Sequence, residues 1–169
     1  MHYNCFGDFM INNGFVPEWI LNSKTDITEQ NNEVGLIVAG YIGAFNKRGF
    51  SQKQIGCMLS SAFLLDVKEV EKRLDALLDC GEGESVKNLC VFAVEKGGLF
   101  SADGNDPCEI IDILKVKYGK NAVVETILTF PLLLSCWKTE EIRDLPENAD
   151  SKKKAQYILN ECASVFEEV

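Results

Sequence analysis

Apolar residues recur along this chain at intervals of three and four, and polar capping residues stand where the apolar runs begin. Thr25 or Asp26 opens a first long helix, with Glu29 in its first turn, and the helix can run to about Asn46. Ser51 and Gln54 form an S-x-x-Q capping box before Ile55, Met58, Leu59 and Ala62, which line one face of a second helix. Asp66 and Glu69 open a third, with Leu65 and Val70 placed as a hydrophobic staple and Val67, Val70, Leu74 and Leu77 on one side, ending at Gly81. Ser85 caps a fourth helix carrying Leu89, Phe92 and Ala93, stopped by Gly97 and Gly98. The sequence Asp106-Pro107-Cys108-Glu109 joins a cap, a proline at the first helical position and an early carboxylate, so a fifth helix runs through Ile110, Ile113, Leu114 and Tyr118 to Gly119. Asn121 opens a sixth through Val123, Val124, Ile127 and Leu128, which Pro131 ends.

A short piece from Thr139, with Glu140, Glu141 and Ile142, stops at Pro146. Asp150 or Ser151 then begins a last helix with Ala155, Ile158, Leu159, Cys162 and Val165 inward. Before residue 25, Phe6, Phe9, Met10 and Phe15 suggest a short apolar helix, and Pro17 a turn through Trp19 and Ile20. No segment shows the sustained alternation of a half-buried strand. The β-branched stretch VKNLCVFAVE leaves 86–104 open between a helix and a hairpin.

Three largely apolar triplets, Phe63-Leu64-Leu65, Gly98-Leu99-Phe100 and Leu132-Leu133-Leu134, fall at intervals of 35 and 34 residues, each between two helix starts. One such unit cannot bury its apolar face alone, which is the physical reason to stack several. The expected fold is all-α and one domain over 1–169: an irregular N-terminal cap over 1–24, stacked helix-loop-helix repeats over 25–150, in a right- or left-handed array, and a C-terminal helix over 151–169.

Composition fits an ordinary globular chain, with 169 residues and 46% hydrophobic side chains. The formal charge of −9, from 26 acidic against 17 basic groups, repels a nucleic-acid backbone on average, so binding to one requires a local basic patch. Lys115, Lys117, Lys120, Lys138, Lys152, Lys153 and Lys154 are the candidates for it, against the simpler reading of a solvated surface. The first residues, MHYNCFGDF, lack the basic and apolar regions of a secretory signal, and the expected location is intracellular, in the cytoplasm. Seven scattered cysteines with no CxxC pair suit free buried thiols in a reducing compartment.

The longest apolar run, Val34 to Phe45, is 12 residues and falls short of the roughly 20 that span a bilayer. Within it Gly35, Ala39 and Gly43 recur every four residues and define a candidate helix-packing or dimer stripe, with Gly40 and Ala44 beside it. Gly35, Gly40 and Gly43 together cost on the order of 2 to 3 kcal/mol relative to alanine, so close approach of another backbone is the natural offset.

Two stretches carry a family resemblance. GFSQKQIGCMLSSAFLLDVKEVEKRLDALLDCG, residues 49–81, and VVETILTFPLLLSCWKTEEI, residues 123–142, resemble repeats of the mitochondrial transcription termination factor family, the latter with its proline-leucine-leucine signature at Pro131, Leu132 and Leu133. The middle unit departs from the pattern, having Gly97 and Gly98 where a proline is expected and an extra SADGN before its second helix. The resemblance implies a curved helical stack whose concave basic face binds double-stranded nucleic acid. The acidic balance weighs against that function.

Residues 49–82 also suit a winged helix-turn-helix with 67–77 as the reading helix, although Glu69, Glu71 and Asp75 would then face phosphates. Catalytic chemistry is poorly provided for. His2 is the lone histidine, which leaves no Cys-His or Ser-His pair, no cysteine cluster suits a metal, and Asp26, Glu29 and Glu33 suit a solvated helix face better than a cation site. No cofactor is expected. The expectation is a non-enzymatic helical-repeat interaction module with a protein partner or self-association, the alternative being a nucleic-acid-binding protein, and no membrane.

Overall fold

A computed structural model describes residues 27–102 and 106–136, with side chains placed from Val34 to Ser135. The predicted N-terminal cap over 1–24, the short piece from Thr139 and the C-terminal helix over 151–169 lie outside the described residues. Every regular element among those described is an α-helix: α1 (Ile27–Lys47), α2 (Gln52–Ala62), α3 (Val67–Leu78), α4 (Gly83–Gly97), α5 (Pro107–Tyr118), α6 (Lys120–Thr129) and the short α7 (Leu133–Cys136). Of the stretch 86–104 left open, the described residues, 86–102, form helix through Gly97 followed by a turn. Among the described residues no helix is long and apolar enough to cross a membrane. The chain divides into two compact units, one ending at Glu71 and the other beginning at Lys72, within α3.

In the first unit α1 packs on α2. Val34, Val38, Tyr41 and Phe45 are buried on α1, as are Ile55, Met58, Leu59 and Ala62 on α2 and Phe63 just beyond it. The predicted inner face of α2 is therefore the observed one. Tyr41 and Phe63 meet edge to face, with ring centroids 5.1 Å apart, and the Tyr41 hydroxyl donates to the Leu65 carbonyl. Such an edge-to-face pair adds about 0.5–1.5 kcal/mol to the area it buries.

Gly49 ends α1 in the left-handed region, with φ +75°, and Phe50 donates back to the Phe45 carbonyl at 3.3 Å, as in a Schellman turn. Arg48 seals the same end. It donates to the Ala44 carbonyl at 2.9 Å and pairs with Glu71 at 3.0 Å. At the start of α2 the capping box is complete: Ser51 Oγ accepts from the Gln54 amide, and Gln54 Oε1 accepts from the Ser51 amide at 2.9 Å. Asp66 caps α3 by accepting from the Glu69 amide at 2.9 Å.

In the second unit α4 and α5 each pack against both α6 and α7. Leu89, Cys90, Ala93, Ile110, Ile111, Leu114, Val123, Ile127, Leu133 and Leu134 are buried here. The helical register differs slightly from expectation, because Phe92, Ile113 and Val124 are half-buried and Leu128 is exposed, while the neighbouring Cys90, Ile111 and Val123 take the inner positions. Asp106 caps α5 by accepting from the Cys108 amide at 2.9 Å, with Pro107 at the first helical position as expected.

Two helix starts differ from their sequence signals. α4 begins at Gly83, two residues before Ser85, with Glu82 as an N-cap that makes no side-chain bond. The Ser85 hydroxyl instead donates to the Glu82 carbonyl at 3.0 Å, a back-bond that takes it out of the capping role. α6 begins at Lys120 instead of Asn121, because Gly119 alone, at φ +87°, serves as C-cap of α5 and N-cap of α6.

The end of α4 explains the pair of glycines at 97 and 98. A Cβ on Gly97 would lie 2.6 Å from the Pro131 carbonyl oxygen, and Gly98, at φ +67°, turns the chain out of the helix beside Ser135. Gly97 thus permits the turn after α6 to press against the last turn of α4. By contrast, a Cβ at Gly56 on the exposed side of α2 would meet nothing within 4 Å.

These two glycines are expected to respond to alanine in opposite directions. Gly97→Ala should destabilise the protein by about 1–3 kcal/mol through overpacking against backbone, whereas Gly56→Ala should stabilise it by about 0.5–1 kcal/mol through helix propensity alone. Urea denaturation of both variants beside the parent checks this, and equal responses would show that the approach to Pro131 is not tight.

Candidate polar cleft and lysine cluster

The charged side chains that come together in the second unit gather where three helix ends meet. Asp79 follows α3, Lys115 lies in the last turn of α5 and Lys120 opens α6. The single carboxylate of Asp79 receives both lysines, Lys115 on Oδ2 at 3.1 Å and Lys120 on Oδ1 at 3.1 Å. Lys115 also pairs with Asp112 one helical turn earlier, at 3.0 Å. The Asp79 side chain remains 54% exposed, so water screens these pairs and their contribution to stability is small. Their direction is clear: hydrogen bonds from Lys115 and Lys120 hold the Asp79 carboxyl below its usual range, and the Asp112 and Asp79 carboxylates raise the Lys115 ammonium against the opposing effect of burial.

Beside this cluster lies an open cleft of about 310 Å³. Leu78, Asp79, Cys80 and Glu82 line one side, and Lys120 and Asn121 the other. Cys80 is buried, and its thiol donates to the Ala76 carbonyl at 3.6 Å. Burial raises its pKa, with the Lys115 charge opposing. Cys90 is buried more completely, and desolvation pushes it up to about 12. Cys57 is exposed and Cys108 buried. Among the described residues no three His, Cys, Asp or Glu side chains form a group able to hold a metal ion.

A second polar arrangement serves the architecture. Arg73 on α3 is 7% exposed, yet its guanidinium donates to the Leu99 carbonyl at 2.9 Å and the Ser101 carbonyl at 2.7 Å. One residue earlier, Lys72 pairs with Asp106 at 2.8 Å. Burial pushes the Asp106 carboxyl upward, but hydrogen bonds from Lys72 and the Cys108 amide outweigh it and leave the pKa lowered. Adjacent residues of α3 therefore hold the chain on both sides of the 103–105 segment.

Of the seven lysines proposed as a patch, Lys115 and Lys120 share Asp79, Lys117 is half-buried on the same last turn of α5, and Lys138, Lys152, Lys153 and Lys154 lie outside the described residues. Of the small-residue stripe on α1, Gly35 is buried, Ala39 half-buried and Gly43 exposed. A Cβ on Gly43 would meet nothing within 4 Å, and one on Gly40 would make only ordinary contact with Val67 at 3.8 Å. Nothing in the described structure explains a glycine at 43. Sequence reasoning missed Asp79 and Arg73, for neither stands in a motif and each meets its partners across 26 or more residues. No protein-family model, curated protein or solved structure matches this chain.

Two outcomes follow from these environments. A carboxyl whose folded pKa is depressed stabilises the fold above its unfolded pKa, and that stabilisation disappears as pH falls through the folded value. Asp79 and Asp106 should therefore add to an acid loss of stability below about pH 4, and in urea titrations Asp79→Asn and Asp106→Asn should weaken the protein at neutral pH and flatten the acid slope. An unchanged slope in both would contradict the ion-pair geometry. For the thiols, peptide mapping after brief alkylation at about pH 8 should find Cys57 modified before the other described cysteines, Cys80, Cys90 and Cys108, and Cys90 protected, since a pKa near 12 leaves a thiolate fraction on the order of 10⁻⁴. Rapid labelling of Cys90 in the folded protein would contradict its burial.

Proposed function

We propose that this chain is a non-enzymatic helical-repeat interaction module that binds a protein partner. The repeat reading is supported by the placement of two triplets between paired helices, Phe63-Leu64-Leu65 between α2 and α3 and Gly98-Leu99-Phe100 between α4 and α5, while Leu132-Leu133-Leu134 runs from the turn after α6 into α7. In the second and third of these the last two residues are buried and the first is not. The first triplet is offset, with Phe63 buried and Leu64 exposed, so its burial pattern matches the others only when the frame is moved back two residues to Ser61-Ala62-Phe63.

The choice of a protein over a nucleic acid rests on one observation: Lys115 and Lys120 share the carboxylate of Asp79 in a chain of net charge −9. Phosphate binding draws its affinity from lysines and arginines that release condensed counterions from the nucleic acid. Lysines already paired with carboxylates supply less of that attraction, and the surrounding acid excess opposes the approach of a polyanion. The resemblance to transcription termination factor repeats over 49–81 and 123–142 supports a stacked architecture without requiring the nucleic-acid function.

The test is retention on heparin resin and anisotropy titration with duplex DNA at about 50 mM salt. Neither should show binding by the full chain, while cross-linking in native extract followed by mass spectrometry should recover protein adducts, including the chain itself if it associates with its own copies. Tight DNA binding with a steep salt dependence, weakened by Lys117→Glu or Lys138→Glu, would overturn the proposal in favour of the nucleic-acid alternative.

A further inference from the structure

We draw no further inference here: the strongest candidate, the polar cleft between the end of α3 and the first turn of α6, carries nothing because its Asp79 and Lys120 are already paired with each other and no buried, unpartnered polar side chain lining it points to a ligand.

Discussion

The Arg73 guanidinium crosses from α3 to the turn that follows α4 and gives hydrogen bonds to two of its carbonyls, those of Leu99 and Ser101. Leu99 is fully buried, so its carbonyl needs a partner other than water, while Ser101 is half-buried. A side chain without donors at position 73 leaves the buried Leu99 carbonyl unsatisfied at about 1–3 kcal/mol and removes the bond to the half-buried Ser101. The bonds also fix where the chain leaves α4, and that exit sets how Gly97 meets the Pro131 turn. The α4 that packs on α6 and α7 is thus followed by a turn held by a charged group from α3.

Polar interactions in this unit fall into two energetic classes. Arg73 is buried, and bonds of this kind shape the fold, whereas the pairs of Asp79 with Lys115 and Lys120 lie nearer to water and are screened by salt. The exposed pairs matter more for the field than for stability. They place negative charge among lysines that the primary structure presents as a basic group, and they do so across 36 and 41 residues of chain. The proposal of a protein partner draws on that field.

Much of the helical architecture is written locally. Ser51 with Gln54, Asp66 with Glu69, and Asp106 with Pro107 mark helix starts because capping bonds join residues two or three apart, and the structure makes those bonds. Gly49, Gly98 and Gly119 end helices at positive φ, where a residue without a Cβ is least strained. Ser85 misleads because its hydroxyl has two local options and takes the back-bond to Glu82. Gly97 looks like a plain stop signal, although its role is to admit the Pro131 carbonyl, a contact spanning 34 residues that no local pattern displays. Of the candidate sites, the lysines of α5 and α6 do lie together, but the carboxylate that joins them carries no sequence signal. The α1 stripe was legible as a pattern only, since burial at Gly35 and open space at Gly43 set its members apart.

The most direct measurement is the unfolding free energy of Arg73→Lys and Arg73→Met. Lysine keeps the charge but lacks the planar array of donors, and methionine keeps the apolar stem alone. If the guanidinium organises the turn after α4, Arg73→Lys should lose about 1.5–3 kcal/mol and Arg73→Met at least as much, each with faster amide exchange at Leu99 and Ser101. Parental stability and unchanged exchange in both variants would contradict the account.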